Sequence, residues 1–192
     1  MNAFIHHLSN IVPLSIDAQI AINSITIHTK VPKNTLLLRN GDICKHFHFL
    51  GSGLARVFYY KDGKDITAWF AGANAIASAI DSLFTGKPSM YNIELLEESD
   101  IFSLHYAMLE PIFQAYPAVE RVGRLLVTEN YLLLDERMKM FAFCTAEERY
   151  DLLTTQFPNV MQRVKLGHIA SYLGISQEHL SRIRGAVKKN YG

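Results

Sequence analysis

Cysteine is scarce in this chain of 192 residues, which contains only Cys44 and Cys144, far apart and outside any CxxC motif. That scarcity excludes a disulfide framework, a four-cysteine zinc site and a cysteine-ligated iron–sulfur sensor. Long apolar runs are also missing, because residues 71–80 form the longest and fall well short of the roughly 20 that span a bilayer. The N-terminus lacks the basic region of a signal peptide. We therefore expect a cytoplasmic protein with no membrane segment.

The net charge is also low, at +1, but the basic and acidic side chains are unevenly distributed along the chain. Residues 163–192 carry six lysine or arginine side chains against the single Glu178, which leaves 13 basic and 17 acidic side chains in the rest. A basic segment following an acidic body is typical of a protein that binds nucleic acid through that segment.

Short strand patterns separated by turn signals follow a helical lead that covers residues 1–24. The turn signals include Asn40-Gly41-Asp42, Gly51-Ser52-Gly53 and Lys61-Asp62-Gly63-Lys64, the last of which predicts a hairpin. Strands this short and regular, ending near His105, predict an antiparallel β-roll or jelly roll. The expected fold class is α+β, with residues 1–117 forming a sensor-like roll.

A long helix is predicted over residues 118–143, which contain no proline. An apolar line with heptad-like steps runs along it, formed by Val119, Val122, Leu126, Leu133 and Met140. A helix of about 25 residues is roughly 37 Å long, more than a small domain needs internally. We expect this line to be the seam of a homodimer. A helix that lies on its own roll is the alternative.

The sharpest pattern lies in the C-terminal domain, predicted over residues 144–192 after a Thr145/Glu148 capping box. The segment Leu166–Arg184 predicts two short helices, residues 166–173 and 177–186, joined at Gly174. Ala170 is small where the helices approach, and five apolar residues fall where they pack: Ile169, Leu173, Ile175, Leu180 and Ile183. This spacing predicts a helix-turn-helix, and an ordinary packed αα-hairpin is the alternative.

A helix-turn-helix places its second helix in the major groove of DNA. Four polar residues on the face opposite Leu180 are expected to read base edges: Gln177, Glu178, Ser181 and Arg182. Five more are expected to contact phosphates: Lys165, Ser176, Arg184, Lys188 and Lys189. The predicted partners are therefore double-stranded DNA and a second copy of the chain.

The order of roll, long helix and helix-turn-helix resembles the Crp/Fnr superfamily of bacterial transcription regulators, in particular its short Bacteroidetes-type members. The matching stretches are residues 36–42, 49–53, 59–67, 136–137, 146–149 and 169–176. The resemblance implies a cyclic-nucleotide-binding-like roll, a dimerisation helix, a winged helix-turn-helix and RNA polymerase as a further partner. The family's R-E-x-x-x-R pattern is matched by Gln177, Glu178 and Arg182, so its first position differs.

The resemblance also implies a ligand pocket, in which a Gly-Glu pair and an arginine hold the nucleotide. No arginine occurs between Arg56 and Arg121, and a lysine is not a bidentate substitute. The corresponding positions here are Ile76, Ser78, Lys87 and Ser89. We therefore expect no binding of cyclic AMP and no resident cofactor, and another small-molecule effector stays open.

Two further hypotheses remain beside a transcription regulator. The first is a ligand-binding or protein-interaction module that does not bind DNA. The second is a cupin-type metal enzyme, because His46 and His48 on one strand face have the HxH pattern, with His105 later. No acidic residue lies between Cys44 and Lys61 to complete such a site. We therefore expect no metal and no enzymatic activity.

Overall fold

A computed structural model describes the backbone of residues 2–190 and the side chains of residues 2–186. Its helices are α1 (Ala3–Ile11), α2 (Ile16–Ser24), α3 (Ile80–Leu83), α4 (Leu109–Ala115), α5 (Pro117–Phe143), α6 (Ala146–Gln156), α7 (Val160–Arg163), α8 (Leu166–Leu173) and α9 (Gln177–Asn190). Its strands are β1 (Thr26–Val31), β2 (Leu36–Leu38), β3 (His46–Ser52), β4 (Ala55–Lys61), β5 (Lys64–Ala71), β6 (Ile76–Ala77), β7 (Asn92–Leu95) and β8 (Ser99–His105). The predicted α+β fold is confirmed.

The strands form two four-stranded sheets with the orders β1-β8-β3-β6 and β2-β7-β4-β5. Strand β8 pairs antiparallel with both β1 and β3, so that Thr26 lies opposite Leu104 and His46 lies opposite His105. Neighbours in the sheets are mostly distant in sequence, which is the crossover pattern of a roll.

An aromatic core joins the N-terminal helices to the first sheet. Phe4 of α1 lies 5.0 Å from Phe49 and 6.1 Å from Phe102 between ring centroids, and all three rings are buried. The side chain of Asn2 starts α1 by accepting a hydrogen bond from the amide of Ile5 at 2.8 Å. The helical lead predicted for residues 1–24 is therefore two capped helices that cover this core.

Strands β4 and β5 are joined by the predicted two-residue turn. Asp62 and Gly63 both have positive φ, at 52° and 73°, as a hairpin that matches the right-handed twist of its strands requires. The turn places Lys61 and Lys64 at the tip of the hairpin.

The chain divides into two compact units that differ from the predicted domains. The first contains residues 1–57 and 70–132, and the second contains residues 58–69 and 133–192. Residues 58–69, which form most of the β4–β5 hairpin, group with the C-terminal helices, and Thr67 among them is hydrogen-bonded to Ser171, 104 positions later. No local sequence pattern encodes such a contact.

Helix α5 has the predicted extent, but the predicted seam along it needs correction. Val119, Val122 and Met140 are 4%, 1% and 7% exposed, so they are buried within the protomer. Val119 and Val122 belong to the hydrophobic core beneath α1, and Leu126 packs partly against it. Of the five, Leu133 remains exposed. The heptad-like line therefore mostly marks the face that α5 turns toward its own protomer.

A second apolar face of α5 is exposed, about a third of a turn away. It consists of Val127, Tyr131, Leu134, Met138 and Phe141, which are 54%, 70%, 50%, 68% and 45% exposed. Their steps of 4, 3, 4 and 3 residues are those of a coiled-coil seam. Residues 131–134 are four consecutive exposed apolar side chains, and a helix that is apolar all round is normally buried.

Candidate nucleic-acid interface

Helices α8 and α9 lie where the helix-turn-helix is predicted. Helix α8 has the predicted bounds, α9 extends beyond the predicted residue 186, and Gly174 between them is left-handed at φ +69°. Five of the residues predicted to lie between the helices are buried: Ile169, Ala170, Leu173, Leu180 and Ile183. The sixth, Ile175, is partly exposed. The turn at Gly174 is therefore confirmed, and Ala170 is buried, as a small residue between packed helices would be.

The four predicted base-reading residues share the exposed face of α9. Gln177, Glu178, Ser181 and Arg182 are all exposed, on the side opposite the buried Leu180. Their direct reading of bases stays a prediction. The structure brings them together in the first two turns of the helix, which is the part that enters the groove in this motif.

Ser176 caps the start of α9. Its hydroxyl accepts a hydrogen bond from the amide of His179 at 3.1 Å. Hydrogen bonds from the amide of Glu178 itself, then from the hydroxyl of Ser176, lower the pKa of the Glu178 carboxyl. Glu178 is therefore ionised at neutral pH and retains the acceptor capacity that a cytosine amino group would need.

The predicted phosphate contacts are only partly described. Lys165 is exposed directly before α8, and Arg184 is partly exposed on α9. The side chains of Lys188 and Lys189 lie outside the described residues. Phosphate contact by any of them stays a prediction.

The wing expected beside the helix-turn-helix is not seen, since residues 106–190 contain no strand. The β4–β5 hairpin contacts α8 instead. The amide of Thr67 donates to the Ser171 hydroxyl at 3.1 Å, and that hydroxyl lies 3.0 Å from Thr67 Oγ1. Thr67 is 1% exposed, so this polar contact is buried.

A groove of about 750 Å³ runs between the hairpin and helices α8 and α9. The hairpin lines it with Lys64 and Asp65, and the start of α9 lines it with Gln177 and Glu178. His168 of α8 also lines the groove, and its Nε2 lies 3.9 Å from the Asp65 carboxylate. The hairpin thus borders the end of α9 that carries the predicted readout residues.

Arg137 holds the end of α5 to α8. Its guanidinium lies 3.6 Å from the ring centroid of Tyr172 and 4.6 Å from that of Phe141, and it donates to the Tyr172 carbonyl at 2.7 Å. Burial lowers the pKa of Arg137. Contact with two aromatic rings suits the planar guanidinium better than an ammonium. Sequence reasoning found Arg137 through the family resemblance alone.

The predicted pocket residues are mostly engaged in internal contacts. Ser78 is buried and donates to the His46 carbonyl at 3.1 Å, and Ser89 is buried and donates to the Asp81 carboxylate at 3.0 Å. Ile76 pairs with Phe49 across β6 and β3, whereas Lys87 is exposed. A ligand role for these four positions stays a prediction.

An ion pair between a buried arginine and a partly exposed glutamate lies in the second sheet of the roll. Arg56 is 3% exposed, and its Nη2 lies 2.9 Å from a Glu94 carboxylate oxygen. Arg56 Nε donates a second hydrogen bond to the same carboxylate oxygen at 3.3 Å, so two nitrogens of the guanidinium hold Glu94. This guanidinium already neutralises a carboxylate, so it differs from the anion clamp that a cyclic phosphate requires.

Three histidines cluster on β3 and β8. The ring of His46 lies 5.8 Å from His48 and 5.0 Å from His105, and His48 Nδ1 lies 2.8 Å from the Ser103 hydroxyl. Burial, with a smaller effect of His46, lowers the pKa of His48 to about 4. Within the described part of the chain, no three His, Cys, Asp or Glu side chains are arranged to hold a metal ion.

No helix among the described residues is both long and apolar enough to cross a membrane.

Residues 28–116 match the family model of the cyclic nucleotide-binding domain. No curated protein matches the sequence.

Solved structures of bacterial regulators share the fold over nearly the whole chain. FixK2 from Bradyrhizobium japonicum is 14% identical, with 86% of each chain covered and a TM-score of 0.73. The c-di-GMP responsive global regulator CLP from Xanthomonas campestris is 13% identical, with 92% of this chain and 93% of that chain covered and a TM-score of 0.72. A crp/fnr family regulator from Eubacterium rectale is 15% identical, with 96% and 88% covered and a TM-score of 0.72.

These findings confirm the resemblance seen in the sequence. At these identities the solved structures show the fold, and the family model shows which residues resemble its domain. Residues 28–116 therefore resemble a cyclic nucleotide-binding domain, and the chain shares its fold with solved regulators of the Crp/Fnr type.

Proposed function

We propose that this protein is a dimeric, sequence-specific DNA-binding transcription regulator of the Crp/Fnr type that acts in the cytoplasm and is not an enzyme. One observation carries the proposal: α9 presents four exposed polar side chains on one face of a helix-turn-helix, inside the basic segment 163–192. A structural helix hairpin would not need that combination of exposure and charge.

The chemistry of the α9 face fits base edges in the major groove. Arg182 can donate two hydrogen bonds to guanine O6 and N7, and Glu178 can accept one from cytosine N4. Gln177 suits adenine. Lys165 and Arg184 would fix the register of the helix through phosphates without reading sequence.

A second copy of the chain would cover the exposed face of α5. Coiled-coil spacing along Val127, Tyr131, Leu134, Met138 and Phe141 supports a symmetric seam in which the same face meets itself. Such a dimer would offer two copies of α9 to half-sites about one helical turn, ~34 Å, apart.

The roll would act as the sensor domain, with a ligand other than cyclic AMP or with none. Two observations support the proposal that cyclic AMP is not the ligand. Arg56 already pairs with Glu94, and Ser78 and Ser89 are engaged in hydrogen bonds within the roll. An effector, where one binds, would act by shifting the relative orientation of the two recognition helices.

Fluorescence anisotropy with labelled duplexes tests DNA binding. One duplex is enriched from a randomised library by the wild-type protein, and the other is a scrambled duplex of equal length. Wild-type affinity should fall steeply as salt rises, because phosphate contacts release counterions. Arg182→Ala should weaken binding to the enriched duplex by about 1–3 kcal/mol and leave the scrambled one nearly unchanged.

Arg39→Ala is the matched control, since Arg39 is an exposed arginine of the roll, outside the helix-turn-helix. It should behave as the wild type. Absence of any wild-type binding at low salt would refute the proposal and leave the ligand-binding or protein-interaction module. Equal loss from Arg39→Ala and Arg182→Ala would show that binding is a charge effect without readout.

A further inference from the structure

Gly185 lies in the interior of α9, and nothing among the described residues requires a glycine there. It is exposed, it is not among the glycines with positive φ, and a Cβ built on it meets no atom within 4 Å. Alanine would fit there without strain. Glycine is the least favourable residue in a helix interior apart from proline, so its presence weakens α9.

The other two glycines of this segment, Gly174 and Gly167, each have a described neighbour beside them. Gly174 has φ +69°, and a Cβ there would lie 2.9 Å from the Phe141 ring. A Cβ on Gly167 would lie 3.1 Å from the Gln177 amide nitrogen. Gly185 shares neither constraint, so no contact among the described residues explains its lack of a side chain.

Gly185 lies on the predicted readout face. It follows Glu178, Ser181 and Arg182 by seven, four and three residues, which places all four along one side of the helix. A helix with side chains is 10–12 Å wide and the major groove is about 12 Å wide, so any side chain on that face sets how deeply the helix enters.

We propose that Gly185 is a positioning residue for DNA, whose missing side chain lets the backbone of α9 approach the groove closely enough for Arg182 to reach base edges. This inference rests on the proposed function. A Cβ at this position would hold the helix away from the groove and lengthen the contact made by Arg182.

Two measurements on Gly185→Ala test the inference. The melting temperature should rise by about 2–4 °C, as expected for removing a helix-interior glycine from a chain of this size. Affinity for the enriched duplex should fall about tenfold, the lower end of losing one bidentate base contact. In an Arg182→Ala background the same change should cost much less, because the contact it disturbs is already gone.

Thr155→Ala on α6 is the control for helix propensity, since Thr155 is also an exposed helical residue. It should raise the melting temperature without changing DNA affinity. If Gly185→Ala binds the enriched duplex as tightly as the wild type, or more tightly, the inference is wrong while the proposed function stands. If the wild type binds no duplex, both fail together.

Discussion

Replacing Leu134 with glutamate should dissociate the proposed dimer without unfolding the protomer. Leu134 lies in the middle of the exposed face of α5 and is 50% exposed, so about half of its side chain is still available for burial. Complete burial of a leucine is worth roughly 1.5–3 kcal/mol, and the remaining half therefore about 1 kcal/mol. A symmetric interface contains the residue twice, which doubles this to ~2 kcal/mol.

Glutamate adds the cost of burying a charge. Two carboxylates within an apolar seam lose hydration and repel each other, which adds at least ~2 kcal/mol to the lost apolar contact. The total of about 4 kcal/mol corresponds to roughly a thousandfold weaker dimer. Leu134→Ala, which loses only the apolar term, should weaken the dimer about 30-fold.

Analytical ultracentrifugation over a concentration series measures the effect. The wild type should sediment as a dimer and Leu134→Glu as a monomer, with unchanged helical circular dichroism. Leu152→Glu is the matched control, because Leu152 is 51% exposed but lies on α6. A Leu134→Glu protein with the mass of the wild type, or a monomeric wild type, would refute the seam.

The remaining predictions concern the roll. Cyclic AMP at millimolar concentration should change the melting temperature by less than about 1 °C in differential scanning fluorimetry, whereas a clear rise would show that the nucleotide binds. His48, with its pKa of about 4 in the folded protein and about 6.5 when unfolded, favours folding above pH 6.5 and loses that contribution toward pH 4. Between pH 7 and pH 4 the wild type should therefore lose up to about 3 kcal/mol more unfolding free energy than His48→Asn, and parallel pH curves in urea denaturation would contradict this.

Features with a local chemical signal were predictable from the sequence. The positive φ at Gly174, the Asp62-Gly63 turn and the Thr145 capping box all depend on residues within a few positions of one another. The pair of helices α8 and α9 was predictable for the same reason, because the apolar residues that pack them lie within fewer than twenty positions.

Features that depend on distant residues were not predictable. A heptad-like line such as Val119, Val122 and Leu126 indicates a covered face, but it does not say whether the same protomer or a second one covers it. The bond between Thr67 and Ser171 joins a hairpin to a helix 104 positions away. The pairing of Arg56 with Glu94 was not predictable for the same reason, since the two residues come together only when β4 and β7 lie side by side in the sheet.

The spacing of half-sites on bound DNA tests the central claim most directly. The proposed dimer places two copies of α9 about one helical turn apart, so a duplex enriched by the wild type should contain a two-fold symmetric site occupied by two protomers. Inserting about half a turn, ~5 bp, between the half-sites should reduce affinity to that of scrambled DNA. Unchanged affinity after the insertion, or one protomer per duplex, would contradict a dimeric regulator that reads DNA through α9.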